Sequence, residues 1–445
     1  MSGTLQGAAI DLGSGLQSQK CSLFHDTGSN GNGNAQSLFT RDVTKPSWAA
    51  HVTTKVNADG QPTNPSFKIS KSVDALLKAT SYHKLPAVDV KKKLREKYRI
   101  RWCDNLAHYL VKKYELTASE LILQSINSKA MDFISSFKIP EGQYANYMDM
   151  IGNRQELTQW SSKLPAAEIV LPMIGFSFAQ DWSKAFLICT LQANEIRINM
   201  QLVEDLSELL RLQVKDGEEW FDEKPDKIKE IVEFKSAKGS ETTIPELHTK
   251  VALLTDEEKD YHRSSVQNIP IDNYVTQSSN PSNSNLHKVD GHFNHPCRCL
   301  FIAAINKKAE TFHNYGNATD DYSDERYGET PIKSTSLHYE SNAKYQDVPS
   351  IMFEKVEPFY HSIRSPSPYK KGHLLICNCL DINSLDSNLM TDLSMLTPIF
   401  QFRLSDNDKK DDDKRDLADQ YYVTVVALTS QLANIRNSCI SFKYQ

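Results

Sequence analysis

Hydrophobic residues recur at every second position in many short stretches of this chain. In one of them, Tyr98, Ile100 and Trp102 alternate with two arginines. Because successive side chains of a strand point to opposite faces, such a run predicts a strand with one buried face. The same alternation occupies residues 196–201, 400–404 and 440–444. Three further runs are apolar at nearly every position, as expected of strands inside a sandwich, and cover residues 169–178, 186–191 and 421–428.

Helical patterns are few. Residues 128–138 can place Phe133 above Phe137 on one side, which predicts a short amphipathic helix. Residues 203–212 predict a second short helix, with three leucines on one side. The chain is therefore expected to be an all-β protein of antiparallel sheets, with long loops between its strands.

Changes in composition suggest how the chain is divided. Residues 1–40 are rich in Gly, Ser, Asn and Gln without hydrophobic periodicity, which predicts an extended arm that becomes ordered only against other chains. The second predicted helix precedes the charged stretch 215–230. We therefore expect a first β unit over residues 41–205, a linker over 206–225 and a second β unit over 226–445. Long polar insertions, typical of surface loops with a binding or assembly role, cover residues 277–294, 309–330 and 405–416.

Composition narrows the classes of function. The net charge is −5 over 445 residues, so the overall charge does not indicate that the chain binds nucleic acid. The apolar runs are far shorter than a membrane-spanning helix requires, and the N-terminus lacks the pattern of a signal peptide. Eight cysteines are dispersed over the whole chain, which favours synthesis in a reducing cytoplasm over a disulfide framework.

Motifs of catalysis are incomplete in this sequence. Asp26-Thr27-Gly28 resembles half of an aspartic protease site, but no second copy supplies the partner carboxylate. The segment around Ser177 weakly resembles a nucleophile elbow, but residues 171–178 are typical of a continuous strand rather than a strand-to-helix turn. There is no phosphate-binding loop and no His-Glu-x-x-His sequence. We therefore expect no catalytic residues.

Two Cys-x-Cys pairs are the sharpest candidate for a metal site. They could bring four thiolates together if their strands were neighbours. Side chains at positions i and i+2 of a strand also share a face, however, and free cysteines are among the most buried residues, so a structural core is favoured. The residues in question are Cys297, Cys299, Cys377 and Cys379, with His292, His295 and His373 close by in the sequence.

Two other local features are interpreted as surface. The basic run at residues 91–97 favours a solvated loop over a patch that contacts phosphates. Asn317 begins an Asn-Ala-Thr glycosylation sequon within a long insertion. Without a secretion signal we expect host enzymes to leave it unused.

A series of short strings carries a family resemblance. In the first half they are Ile100-Arg101-Trp102, Met150-Ile151-Gly152-Asn153, Leu171-Pro172 with the aromatic residues that follow, and Asn194-Glu195-Ile196-Arg197-Ile198. In the second half they are residues 251–258, 333–342, 356–360, 372–373 and 434–436. In order and spacing these strings resemble the major capsid proteins of nucleocytoplasmic large DNA viruses, with those of iridoviruses most similar. Two features depart from that family: its serine- and glycine-rich signature is reduced to residues 386–393, and the Cys-x-Cys pairs are not typical of it.

The resemblance implies two tandem, eight-stranded antiparallel jelly rolls that form a non-enzymatic shell protein. Three chains would form a homotrimeric, pseudo-hexagonal capsomer of an icosahedral virion capsid. Its partners would be further copies of itself, minor capsid proteins and, indirectly, an inner viral membrane, with no direct contact to nucleic acid and no cofactor. It assigns no catalytic, cofactor-binding or metal-binding residues. The departures leave a minor capsid paralogue as an alternative, and a jelly-roll enzyme or sugar-binding module is a further one.

Overall fold

A computed structural model gives the arrangement of most of the chain. It describes residues 51–180, 185–236, 239–264, 267–323, 328–340, 342–366, 371–383, 390–393, 396–405, 420–436 and 438–442. The predicted arm at residues 1–40 and the Asp26-Thr27-Gly28 motif lie outside these ranges, as does most of the predicted loop at 405–416.

Strands dominate the described residues, as the alternation predicts. Those in the first part of the chain are β1 His51–Val56, β2 Ala58–Gln61, β3 Asn64–Lys68, β4 Ala75–Leu85, β5 Ala87–Val90, β6 Tyr98–Trp102, β7 Val111–Ala118, β8 Leu121–Asn127, β9 Lys163–Leu164, β10 Ala167–Pro172, β11 Phe186–Leu187, β12 Ile196–Leu202, β13 Leu210–Asp216, β14 Glu219–Glu223, β15 Val232–Lys235 and β16 Glu246–Ala252. Those that follow are β17 Gln267–Ser278, β18 Leu286–Asp290, β19 Pro296–Asn306, β20 Ile332–Tyr339, β21 Asn342–Pro349, β22 His373–Cys377, β23 Thr391–Asp392, β24 Pro398–Leu404, β25 Tyr421–Arg436 and β26 Cys439–Phe442.

Helices in the described residues are short. The α-helices are α1 Leu106–Leu110, α2 Ser128–Phe137, α3 Glu141–Met150, α4 Gln155–Thr158, α5 Ser177–Gln180, α6 Ile228–Ile231, α7 Asp256–Ser264, α8 Lys307–Thr311 and α9 Glu357–His361. A π-helical turn, Met352–Val356, leads into α9, and 3₁₀ turns cover Lys92–Leu94, Ile188–Thr190, Leu206–Leu209 and Pro225–Lys227. None of these helices is long and apolar enough to cross a membrane.

Eight strands of the first part form two sheets that enclose one core. The strands are hydrogen-bonded in the orders β1-β16-β4-β10 and β3-β12-β7-β8, and every pairing is antiparallel. Counted along the chain, these are strands 1-8-3-6 and 2-7-4-5. The short strand β11 adds to the first sheet and β2 to the second.

Eight strands of the second part repeat this arrangement. Their orders are β17-β25-β19-β22 and β18-β24-β20-β21, which are again strands 1-8-3-6 and 2-7-4-5 of the set. Two four-stranded antiparallel sheets joined in this order form a jelly roll. The chain therefore contains two, as predicted. We call the sheets β1-β16-β4-β10 and β17-β25-β19-β22 the first and second front sheets.

The first jelly roll extends further along the chain than the predicted linker at 206–225 allows. Strand β13 lies within that segment and pairs with β6, while β16 pairs with β4. The pairing partners change only between Ala252 and Gln267. The exposed charged residues at the end of β13 and just after it lie at the tip of its hairpin with β14, at residues 215–219, rather than in a connection between the jelly rolls.

Two predicted elements differ from the structure for local reasons. Residues 203–212 form only the 3₁₀ turn Leu206–Leu209, capped by Asp205, because Leu210 pairs with Trp102 in a strand. The strand predicted to run through residues 171–178 ends at Pro172, and α5 follows it. Helix α2, in contrast, is confirmed almost to the residue, and its Asn127 N-cap accepts from the Ala130 N–H.

The outward face of the second front sheet is covered by the first jelly roll. In β19, Leu300 and Ile302 belong to the core of the second sandwich, while Phe301 and Ala303 belong to the large core of the first jelly roll. The ring of Phe301 stacks on Phe133 and Phe137 of α2, with centroids 5.5 and 5.4 Å apart. The outward face of the second front sheet is thus part of the core of the first jelly roll, while the interior of the second sandwich forms a separate core.

Candidate assembly surface

The four cysteines of the Cys-x-Cys pairs are close together and buried. Cys299 lies directly opposite Cys377 in the β19–β22 ladder. The sulfurs of Cys377 and Cys379 are 3.5 Å apart, and the Cys297 thiol donates to the Cys299 carbonyl over 3.2 Å. The expectation that two neighbouring cysteines share a face is wrong for the first pair. A β-bulge between Cys297 and Cys299 puts the former in the core of the second sandwich and the latter on its outward face.

The electrostatics of this cluster favour thiols over metal ligands. Burial raises the pKa of the Cys297 and Cys299 thiols, which keeps both protonated at neutral pH. The hydrogen bond from Cys377, together with the guanidinium of Arg298, lowers the pKa of Cys379 to about 7. Among the residues that the structure describes, no three His, Cys, Asp or Glu side chains are arranged to hold a metal ion. Cys299, Cys377 and Cys379 pack in the apolar contact between the jelly rolls, and Cys297 packs inside the second sandwich.

Ser177 begins a helix after a strand, so the local turn is closer to a nucleophile elbow than the sequence predicts. Its hydroxyl oxygen, however, accepts hydrogen bonds from the Gln124 amide and the Asp272 backbone N–H, each over 2.9 Å. The residue is buried. A hydroxyl occupied in this way joins the two jelly rolls and is not positioned as a nucleophile.

A buried polar network that the sequence did not reveal lies between α1, α2 and α3. One oxygen of Asp132 is 2.8 Å from His108 Nδ1 and also accepts from Asn105 Nδ2, while the other accepts from the Tyr109 hydroxyl. His108 Nε2 is in turn 2.8 Å from the Tyr147 hydroxyl. Because all five side chains are buried, the network holds the three helices together and does not form an accessible acid–base pair.

A cavity of about 630 Å³ lies beside α2 and α3 where the two jelly rolls meet. Its lining includes Lys78, Lys138, Met150, Ile174 and Ile363. No His, Cys, Asp, Glu or Ser occurs among the described residues that line it. The cavity therefore lacks the convergent acid and base groups that a hydrolytic jelly-roll enzyme needs.

The largest exposed apolar side chains of the described residues gather in the connection that follows β21. We define the apolar patch by four residues of that connection and one from the loop after β22: Ile351, Val356, Phe359, Tyr360 and Leu380. Phe359 and Tyr360 are 75% and 70% exposed. Their rings contact each other with centroids 5.1 Å apart, and the Leu380 carbonyl is 3.0 Å from His361 Nδ1, next to them.

The patch is held firmly by the buried side of the same connection. Glu357 accepts a hydrogen bond from the Cys377 backbone over 3.3 Å, which ties α9 to β22. Beyond α9, Arg364 donates to Glu141 over 2.6 Å, and its guanidinium lies 3.1 Å from the ring centre of Tyr144. Exposed aromatic rings on a rigid support are typical of a protein–protein interface rather than of a flexible loop. The sequence contained a partial signal for it, since Phe359 and Tyr360 lie in one of the resembling strings.

Comparison with solved structures gives the class of protein. The chain superimposes on the Faustovirus major capsid protein with a TM-score of 0.67 at 11% identity, covering 96% of this chain and 98% of the other. A chain of the PBCV-1 virus capsid superimposes with a TM-score of 0.66 at 13% identity, covering 89% and 97%. At such identities the likeness shows the fold, which is a double jelly roll.

Comparison of sequences gives the family. A family model of the large eukaryotic DNA virus major capsid protein matches residues 258–439, and one of the major capsid protein N-terminus matches residues 37–220. The major capsid protein of Simulium iridescent virus is 26% identical, with 92% of this chain and 91% of the relative covered. That of Frog virus 3 is 27% identical, with 75% of each covered. The chain belongs to the family of major capsid proteins of large eukaryotic DNA viruses.

These comparisons confirm the resemblance and the fold that the sequence predicted. The relatives carry the name of a structural protein, which supports the prediction of a non-enzymatic role. They support the major capsid role and give no support to a minor paralogue or to an enzyme. A functional site in such a protein is a surface that meets another protein, and the apolar patch is the most prominent surface of that kind in the described residues.

Proposed function

We propose that this protein is the major structural subunit of a virion capsid and that three copies form a pseudo-hexagonal capsomer of an icosahedral shell. The observation that supports the trimer is the internal repeat: two jelly rolls with the same strand order stand in each chain. Closed rings are the common solution for identical subunits. Three chains contribute six jelly rolls of the same topology. A capsomer built from six such units can pack against six neighbouring capsomers in the shell.

Size-exclusion chromatography with light scattering on the full chain tests this proposal. The expected mass is three times the chain mass of 50.4 kDa, and it is maintained on dilution to micromolar concentration. A stable monomer or dimer under these conditions would contradict the trimer. Electron microscopy of the same material is expected to show particles with a hexagonal outline.

The division of the chain suggests a role for its N-terminal segment. We propose that residues 1–40 form an arm that runs beneath the capsomer and becomes ordered on assembly, because their Gly- and Asn-rich composition offers little apolar area to a core. We also propose that residues 253–266 join the two jelly rolls, because the strand pairing passes from the first to the second between Ala252 and Gln267. Deleting residues 1–40 is expected to leave the solution trimer intact and to reduce its incorporation into shells. Loss of the trimer itself would contradict this role.

The remaining expected partners follow from the shell role. We propose that the capsomers contact one another and minor capsid proteins, that any contact with an inner viral membrane is indirect, and that nucleic acid is not bound directly. The net charge of −5 supports the last point. Synthesis in the host cytoplasm is supported by the free thiols at Cys103, Cys189 and the four clustered cysteines.

A further inference from the structure

The contact between the two jelly rolls of one chain has a defined polarity. The first contributes β8 and α2, the edge strand of its second sheet and the helix that follows it. The second contributes the outward face of its front sheet. Phe133 and Phe137 stack on Phe301, and the Gln124 amide donates to the Asp272 carbonyl over 2.5 Å. The edge of one jelly roll thus covers the front sheet of the next.

The apolar patch occupies, in the second jelly roll, the position that α2 occupies in the first. Strand β21 is the fifth strand of its set and lies at the edge of its sheet, as β8 does. The chain then enters the π-helical turn and α9, as it enters α2 after β8. In the first jelly roll the aromatic residues of this connection are buried against a front sheet. In the second, Phe359 and Tyr360 are exposed.

The first front sheet presents the matching open surface. Its outward side chains include those along the ladder in which Thr80 pairs with His248 and Tyr82 with Val170. The rings of Tyr82 and His248 are 4.5 Å apart, and Tyr82 is 37% exposed. Glu246 lies beside them, 3.0 Å from Lys55. The result is an aromatic centre with a charged rim, the usual composition of an interface.

We propose that the apolar patch of one copy docks on the Tyr82–His248 surface of the first front sheet of a second copy. This inference rests on the proposed trimer and names the surfaces that build it. The contact repeats between chains the polarity already present within one chain, edge connection against front sheet. Because it joins two different surfaces it is head-to-tail, and a head-to-tail contact closes into a ring when the rotation between units permits.

The size of the patch suits a subunit interface. Full burial of one Phe or Tyr removes about 150–250 Å² from water, so these two rings with their three aliphatic neighbours expose on the order of 500 Å². This is close to the upper range for the largest apolar patch on a soluble monomer. Aromatic residues at the centre of such a surface commonly dominate the binding energy.

A patch variant tests the first half of the proposal. The double variant Phe359→Ser with Tyr360→Ser is expected to elute as a monomer of 50.4 kDa at concentrations where the parent is a trimer. Because both side chains are largely exposed, the circular dichroism of the variant should match that of the parent, and its thermal unfolding should remain cooperative. Leu286→Ser is the matched control: Leu286 is 49% exposed and lies at the opposite edge of the same sheet as β21, so the variant should remain a trimer.

A front-sheet variant tests the second half. Tyr82→Glu is expected to give the same loss of trimer, although it lies in the other jelly roll. An equimolar mixture of this variant with the patch variant should form a one-to-one dimer and no larger ring, because only one intact contact can then form. If the three patches instead met one another at the three-fold axis, the Tyr82 variant would stay trimeric, and that result would overturn the proposal.

Cross-linking gives an answer that does not depend on dissociation. A Cys21→Ser/Cys439→Ser background removes the cysteine of the N-terminal segment and the one that is exposed among the described residues. In it, Lys355→Cys with Lys84→Cys, at the rims of the two surfaces, should be joined between chains by a short bismaleimide. Lys355→Cys with Leu286→Cys should not. A parent that is itself monomeric would refute the proposed trimer. A trimeric parent whose patch variants stay trimeric and whose 355–84 pair is not joined would refute only the assignment of these surfaces.

Discussion

The two front sheets have the same strand order and opposite surroundings. In the second, β19 and β25 are buried on both faces, because α2 and β8 of the first jelly roll cover the outward side. In the first, β4 alternates between buried and exposed residues over most of its length. The strand order sets which side chains face the sandwich. Whether another part of the protein packs against the outward face determines how apolar the outward side chains are.

The difference shows how one fold serves two roles in a chain of this family. A front sheet covered within the chain can use Phe301, Cys299 and Ala303 outward, since these residues never meet water in the folded protein. A front sheet that is open in the isolated chain carries Thr80, Tyr82 and Lys84 instead. Such residues tolerate water before assembly and contact a partner afterwards.

The largest difference in stability between the two front sheets is expected at the stack of Phe301 on Phe133 and Phe137. Phe301→Ala should lower the free energy of unfolding by about 3–5 kcal/mol, because it leaves a cavity between α2 and the second front sheet. Tyr82→Ala, the change on the open sheet, removes one cross-strand ring contact and should lower the unfolding free energy of the monomer by about 1 kcal/mol at most. Urea unfolding of both variants in the monomeric Phe359→Ser/Tyr360→Ser background measures the difference. Equal losses would contradict the distinction between the sheets.

The contribution of ion pairs to the free energy of unfolding should differ almost as strongly between the two outward faces. Arg298 and Asp272 are buried and 3.2 Å apart, so Arg298→Met leaves a buried carboxylate without its main partner and should cost about 3–5 kcal/mol. Lys84 and Glu168 are largely exposed and 4.0 Å apart. Lys84→Met should therefore cost at most about 1 kcal/mol. The same urea measurements apply, and a small effect at Arg298 would indicate that water reaches the contact.

A pH effect should come from the inward face of the first front sheet. Burial lowers the pKa of His83 from 6.5 to about 4, so between these values the unfolded chain binds a proton that the folded chain does not. His83 therefore costs no stability above pH 6.5, and its penalty grows as the pH falls toward 4, to about 3 kcal/mol. His83→Gln should flatten the unfolding free energy over this range by that amount. Parallel profiles for parent and variant would contradict a lowered pKa of His83 in the folded protein.

The smallest of these losses in stability is expected in α2, the helix that covers the second front sheet. Asp132→Asn replaces the acceptor for His108, Asn105 and Tyr109 with an amide that cannot satisfy all three. We expect a loss of about 1–3 kcal/mol. Asp149→Asn, on the neighbouring helix α3, is the control and should have little effect. If the contact of α2 with Phe301 depends on this network, hydrogen exchange in β19 should quicken in the Asp132 variant alone.

Much of the candidate site could not have been predicted from the sequence. The hydrophobic patterns predicted seven of the described strands, and the amphipathic pattern predicted α2; the strands are β6, β10, β11, β12, β24, β25 and β26. Neither could show that a bulge separates Cys297 from Cys299, since a bulge leaves no periodic trace. Nor could they show that Phe359 and Tyr360 are exposed, because two adjacent aromatic residues are more often part of a core.

The sequence by itself determined the strand faces, the all-β class and the family, because burial on one side of a strand leaves a local period and because short strings persist in order. The tertiary structure alone decided that β16 completes the first jelly roll, that the second front sheet is covered and that the first is open. These outcomes depend on pairing between segments more than 100 residues apart, such as β16 with β4. A local pattern reports how much of a side chain is buried, but it does not report which distant segment buries it.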